Sequence, residues 1–246
     1  MIQLLQAKNL SALSTISHGY TTRCDDAGGD AFDCSIKGAQ VATNWGKVAQ
    51  AKGLDPARML GCNQVHGSEV VIVTEPWALM HAPQADGLVT KEEGLALAIQ
   101  TADCAPILLC EPESGVIGAF HAGWRSALAD IASHTITAME KLGAEKEKIQ
   151  AAIGPCIWQD SYEVDVNFLE PFVEEDSQNI RFFIKAGQEG HYMFDLPAYV
   201  RAKLLKSGIA SCEMSIADTY QDPKRFFSYR RDKTTMRLLS FIALNL

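Results

Sequence analysis

TADCAPILLCEPESGVIGAFHAGWR (101–125) contains two short apolar runs, PILLC (106–110) and VIGAF (116–120), with Cys104 and His121 at their edges. Both runs are apolar throughout rather than at every second position, which predicts neighbouring strands buried on both faces. Runs of the same kind recur at EVVIV (69–73), LALAI (95–99), IQAAI (149–153) and LLSFIAL (238–244). These are expected to make the core sheets. Helices are readable between them. Leu128, Ile131, Thr135, Met139 and Leu142 recur at three- and four-residue steps, predicting a helix over 126–142 with Gly143 at its C-terminal cap. Asp195 can cap a second helix, with Pro197 in its first turn, that runs through Tyr199, Val200, Leu204 and Leu205 to Gly208. A weaker helical stretch at 167–174 is interrupted by Pro171. Strands and helices mix irregularly, so the expected fold class is α+β: a mixed β-sheet sandwich flanked by helices.

Composition narrows the partners. The chain has 246 residues, 47% of them hydrophobic, and no linker, repeat or low-complexity tract, so one domain over 1–246 is expected. A net charge of −8 and the lack of any long basic stripe argue against nucleic acid. The amino terminus has no basic segment followed by an apolar core, and nowhere do about 18 apolar residues run together. A soluble, cytoplasmic protein is expected. The seven cysteines include no CxxC pair, which suggests reduced thiols acting mostly as small buried hydrophobes.

The reactive residues sit at strand ends. His121 is expected in the turn between VIGAF and the following helix, where Gly118 and Gly123 permit tight backbone paths. Cys104 lies in a polar loop with Thr101 and Asp103, closed by Pro106, and His66 stands beside Gly67 before EVVIV. Loops on a rigid scaffold are where sites form. Two imidazoles and one thiolate are a zinc ligand set that leaves a fourth position for water or substrate. Taken singly, each residue also has a plain reading: a buried packing cysteine, or a turn histidine held by hydrogen bonds. Cys156 is the one possible fourth ligand and reads as core.

The strings NQVHGSEV, ADGLVT, TADCAPILL, GAFHAGWRSAL, AAIGPCIWQDSYEV and FFSYRRD resemble, in order, the motifs of the bacterial laccase-domain family. These are the YfiH-like proteins once called polyphenol oxidases, and the resemblance runs from about His18 to the C-terminus. It implies an α/β sandwich, zinc held by His66, Cys104 and His121, and phosphorolysis of purine nucleosides such as adenosine, inosine and guanosine, with adenosine deamination in some members. Phosphorolysis needs a phosphate dianion held beneath C1′ of the ribose, a task suited to the planar guanidinium fork. Arg230, Arg231 and Arg23 are the candidates for it. Arg125 could equally pair with a surface acid. Gln64 and Asn44 could read ribose hydroxyls or purine edges, and Asp103 could act as a general acid or base or cap its turn.

Three places depart from the family pattern. The amino-terminal signatures are blurred into CDDAGGDAFDCSIKGAQ (24–40), Asp218-Thr219 stands where a Cys-Thr pair is expected, and Lys233 stands where a glycine usually follows the Asp of the last motif. Substrate preference, rather than the metal site, is therefore where this chain is expected to differ. Two other enzyme readings use the same residues. A Cys104 thiolate activated by His121 or His66 would suit amide hydrolysis or deamidation. A copper polyphenol oxidase fits less well, because a multicopper site needs many imidazoles and the chain has six, with no His-x-His pair.

Overall fold

The computed structural model describes residues 2–24 and 31–245, so Asp25 to Asp30, within the blurred amino-terminal signature, lie outside the described residues. All six apolar runs are strands. One sheet has five strands in the order β1 (Leu4–Leu5), β2 (Ile16–Thr21), β14 (Leu238–Leu244), β6 (Ala96–Thr101), β3 (Met59–Leu60). A six-stranded sheet runs β13 (Ser211–Met214), β9 (Gln150–Ile153), β7 (Ala105–Glu111), β8 (Val116–Ala122), β5 (Gly87–Thr90), β4 (Val70–Ile72). A small third sheet is ordered β10 (Glu163–Asp165), β12 (His191–Phe194), β11 (Phe183–Lys185). The helices are α1 (Lys8–Ser11), α2 (Val41–Ala51), α3 (Trp124–Leu128), α4 (Ile131–Lys141), α5 (Val166–Glu175), α6 (Leu196–Lys206) and α7 (Tyr229–Asp232).

The continuous apolar runs follow from layering. Leu97, Ile99 and Ile242 of the five-stranded sheet meet Leu108, Ile117 and Ala119 of the six-stranded one in a shared core. Alternate residues of the same strands face outward into two further layers. Ala98 and Phe241 pack on Trp45 and Val48 of α2, while Ile107, Leu109 and Phe120 pack on Ile136 and Met139 of α4 and Tyr199 of α6. Each fully buried large side chain contributes about 1.5–3 kcal/mol, so strands covered on both faces carry most of the stability. The result is a single-domain α+β sandwich flanked by helices, and no helix among the described residues is long and apolar enough to cross a membrane.

The helices depart from the pattern in two places. The helix expected over 126–142 breaks into α3 and α4, because Asp130 adopts left-handed φ 59° and ψ 40°. A short polar side chain tolerates that region better than most, and apolar periodicity does not report it. Gly143, at φ 106°, ends α4 where a cap was expected. Pro171 stands inside α5 without interrupting it. Phe172, next to it, packs 4.9 Å from Phe194 and 5.5 Å from Phe183, and this aromatic contact holds the segment helical. Asp195 caps α6 by accepting from the Ala198 amide at 3.0 Å. All seven cysteines are free, and Cys34, Cys62, Cys110 and Cys156 are buried.

His18 on β2 is 1% exposed and accepts from the Ala7 amide at 3.0 Å through Nε2. Burial, with the charge of Lys52 adding to it, lowers its pKa to about 4. The unfolded chain therefore takes up a proton below about pH 6.5 that the folded chain refuses. Stability is expected to fall by up to about 3 kcal/mol between about pH 6.5 and 4, then level off. Denaturant titrations of His18→Gln, which keeps an acceptor for Ala7, should show a flatter profile across that window.

Candidate active site

Sheet register brings the reactive residues together. β7 and β8 pair antiparallel with Pro106 opposite His121 and Ala105 opposite Ala122, which sets Cys104 beside the end of β8. His121 is not in a turn, as its flanking glycines had suggested, but within β8 itself. Gly118 also lies within β8; a Cβ there would approach Met139 Sδ at 3.1 Å, so it serves close helix packing. On the far side, Gly87 of β5 pairs with Phe120, and the His121 amide donates to the Asp86 carbonyl at 2.8 Å. The ligand atoms of His66, Cys104 and His121 all lie within 4.8 Å of one another. Among the described residues this is the one group of three or more potential ligands, and it excludes the buried Cys156, whose thiol burial pushes well up.

Asp86, fully buried, organises the cluster. Its Oδ1 accepts from His121 Nδ1 at 2.8 Å and from the His66 amide at 3.0 Å; its Oδ2 accepts from the amides of Gly67 at 2.7 Å and Val65 at 3.1 Å. The carboxylate thus holds the His66 loop, whose φ of 61° is left-handed, and orients the His121 ring so that Nε2 is free to face Cys104. Asp86 was not among the residues expected at the site, although it lies in ADGLVT (85–90). Its only local signal is an acid next to the glycine that opens a strand.

Electrostatics follow from this packing. Burial alone would raise the Cys104 thiol, but His121 and His66 beside it outweigh burial and lower it. Burial alone would lower His121, but the Cys104 sulfur and the Asp86 carboxylate raise it. The pair therefore favours a thiolate facing an imidazolium, a ready donor to a cation and a ready nucleophile.

Gly123 completes the geometry by having no side chain. A Cβ there would lie 2.8 Å from His66 Cδ2 and 3.2 Å from Cys104 Sγ, although its φ of −76° suits any residue. Gly123→Ala is expected to displace both side chains and lower metal affinity by about tenfold or more. Metal titration read beside an unchanged far-UV circular dichroism spectrum would check this.

Two cavities meet at the cluster. One, of about 430 Å³, is lined by Gln64, Gln100, Thr101 and His121 among others; the second, of about 310 Å³, by Arg125, Tyr162, Arg230 and Lys233 among others. His66, Ala102, Cys104 and Tyr229 line both. Thr101 Oγ1 is buried on the wall of the first cavity and, among the described residues, has no hydrogen-bond partner.

The other expected residues have mixed placements. Gln64 reaches the first cavity, but its amide group is tied to the Gln100 backbone by two hydrogen bonds of 2.8 Å. Asn44, on the buried face of α2, donates to the Asp33 carbonyl at 2.8 Å and lines neither cavity. Arg23 donates to the Pro223 carbonyl at 2.8 Å and stacks 5.1 Å from the Phe227 ring. Arg231 spends its guanidinium on the carbonyls of Thr219, Tyr220 and Phe226 and on Asp232, so it braces the last loop instead of facing a cavity. Arg230 does line the second cavity.

Asp103, at φ 97°, accepts from Thr219 Oγ1 at 2.7 Å, Ser228 Oγ at 3.0 Å and the Arg230 amide at 2.6 Å. Both its oxygens are engaged, so its geometry is that of a clamp between the Cys104 loop and α7, not of a free acid or base. Asp218 accepts from Ser161 Oγ at 2.6 Å and from the Tyr220 amide at 2.8 Å. Lys233 keeps the left-handed conformation, φ 50°, that a glycine would take without strain.

A profile of the family described as multi-copper polyphenol oxidoreductase laccase matches residues 28–245. The chain belongs to that family. Its relatives include a purine nucleoside phosphorylase of Rickettsia conorii, 42% identical over 169 residues and covering 69% of each chain. A purine nucleoside phosphorylase of Deinococcus radiodurans is 35% identical over 252 residues, covering 99% of this chain and 93% of that one. Among solved structures, the Bacillus licheniformis hypothetical protein YfiH superposes with a TM-score of 0.88 at 27% identity, covering 99% of this laccase-family chain and 96% of its own.

Proposed function

We propose that this chain is a zinc-dependent purine nucleoside phosphorylase acting as one catalytic domain in a reducing cytoplasm. The observation that carries the reading is the His66, Cys104 and His121 cluster set where two cavities meet, one of them lined by three cations. Relatives named as purine nucleoside phosphorylases supply the substrate class. The donor set fits zinc: two imidazoles, one thiolate and a carboxylate holding the far nitrogen of His121. When bound there, zinc would polarise an oxygen or nitrogen of the substrate, or lower the pKa of a water for deamination. With six histidines in all and a single three-ligand cluster among the described residues, the chain is poorly suited to multinuclear copper.

In the reaction, a phosphate oxygen forms a bond to C1′ as the bond from C1′ to the purine nitrogen breaks. The bonding electrons leave with the base, which gains a proton. Arg230 holds the phosphate on one side of the cluster, and the nucleoside occupies the larger cavity, where the Thr101 hydroxyl offers it a hydrogen bond. The experiment is incubation of metal-replete protein with adenosine, with and without phosphate, and identification of products by mass. Adenine with ribose 1-phosphate supports phosphorolysis and inosine supports deamination; absence of both overturns the nucleoside reading. The thiolate-imidazolium pair favours a second reading, a Cys104 hydrolase acting on an amide, which predicts inactivation by thiol alkylation and indifference to chelators.

A further inference from the structure

We propose that the smaller cavity is an orthophosphate subsite in which Lys233 sets the affinity for the anion. The reaction it serves rests on the phosphorylase reading; the binding chemistry does not. Three cations, Arg125, Arg230 and Lys233, line this cavity in a chain whose net charge is −8. Each is held by an aromatic face: Arg125 lies 4.4 Å from the Trp124 ring centroid, Arg230 5.0 Å from Tyr162 and Lys233 5.2 Å from Tyr229. A ring face positions a cation without neutralising it.

Some cations of the chain are neutralised by acids and these are not. Lys148, Lys203, Arg225 and Arg231 all pair with carboxylates, whereas among the described residues neither Arg125 nor Lys233 has an acidic partner. The carboxylate on the cavity wall, Asp103, has both oxygens occupied by Thr219, Ser228 and the Arg230 amide. The cavity is therefore built to attract an anion and to leave its charge for that anion.

Lys233 adds a separate observation. Its left-handed backbone costs a non-glycine residue about 1 kcal/mol or more, so stability alone would select glycine at this position. Strain kept at a cavity wall marks a side chain retained for what it contacts. The ammonium can follow a small anion on its flexible stem, while the two guanidinium groups present planar forks to its oxygens. An anion bound among the three lies against His66 and Cys104, which also line the nucleoside cavity.

The test is calorimetric titration of orthophosphate, and separately of adenosine 5′-monophosphate, into the full chain as wild type, Lys233→Gly and Lys233→Arg. Lys233→Gly is expected to weaken orthophosphate binding about tenfold. It should raise the phosphate KM by a similar factor with the nucleoside KM unchanged, and melt at the same temperature or higher because the strain is gone. Lys233→Arg should keep most of the affinity. Unchanged orthophosphate affinity in Lys233→Gly overturns the proposal, as does a loss confined to the nucleotide. If the phosphorylase reading fails, no nucleoside turns over, yet the difference in orthophosphate binding between wild type and Lys233→Gly persists.

Discussion

Cys104→Ala is expected to lose bound metal and to reduce nucleoside phosphorolysis by more than about a hundredfold, because it removes one of the three proposed ligands. The loss is compounded electrostatically, because the thiolate's negative charge beside the cation goes with the ligand. The two histidines that remain hold a divalent ion weakly. Elemental analysis of the purified variant beside a turnover assay would check both effects. Treatment of wild type with a chelator should reproduce the activity loss, with recovery on adding zinc. Cys110→Ala, a change in the core between the sheets, should keep its metal. A metal-loaded Cys104→Ala that turned over nucleoside at the wild-type rate would refute the site.

Asp86→Asn is expected to destabilise the protein by about 3–5 kcal/mol, lowering the melting temperature by roughly 10 °C. It is also expected to weaken metal binding by about 10–100-fold. The reason lies in the carboxylate's four donors. Oδ1 accepts from His121 and His66, and Oδ2 accepts from Val65 and Gly67. An amide in either flip turns its NH₂ against two N–H groups, leaving buried donors without acceptors. Burial alone would raise the Asp86 pKa, but His121 first, and then the Gly67 and Val65 amides, pull it below the ordinary carboxylate value. A depressed folded pKa means that the stabilisation is present above about pH 4, where the unfolded side chain is ionised, and is lost as pH falls further. Asp86→Asn should therefore flatten the acid limb of the stability profile, a result that acid titration followed by circular dichroism would reveal.

The strands were legible because an apolar run with no alternation has one meaning wherever its partners lie: it must be covered on both sides. PILLC and VIGAF occupy β7 and β8, and LLSFIAL occupies β14 in full. The clustering of three residues was legible for a related reason. His66, Cys104 and His121 are residue types with coordinating chemistry at the ends of such runs, and sheets gather strand ends. The break at Asp130 was not legible, since one left-handed residue leaves the apolar spacing of a helix almost intact.

Where each polar side chain spends its hydrogen bonds is a different kind of information. Asp86 meets His121 only because β5 and β8 pair in one register, and Asp103 meets Thr219 and Ser228 across 116 and 125 residues of chain. Arg230 and Arg231 are adjacent in sequence, yet one lines a cavity and the other is consumed by backbone carbonyls. Burial is written locally in the apolar pattern, because water is excluded from any covered strand in the same way. Hydrogen bonds and charge pairing act over a few ångströms, so their partners exist only once distant segments have closed on one another.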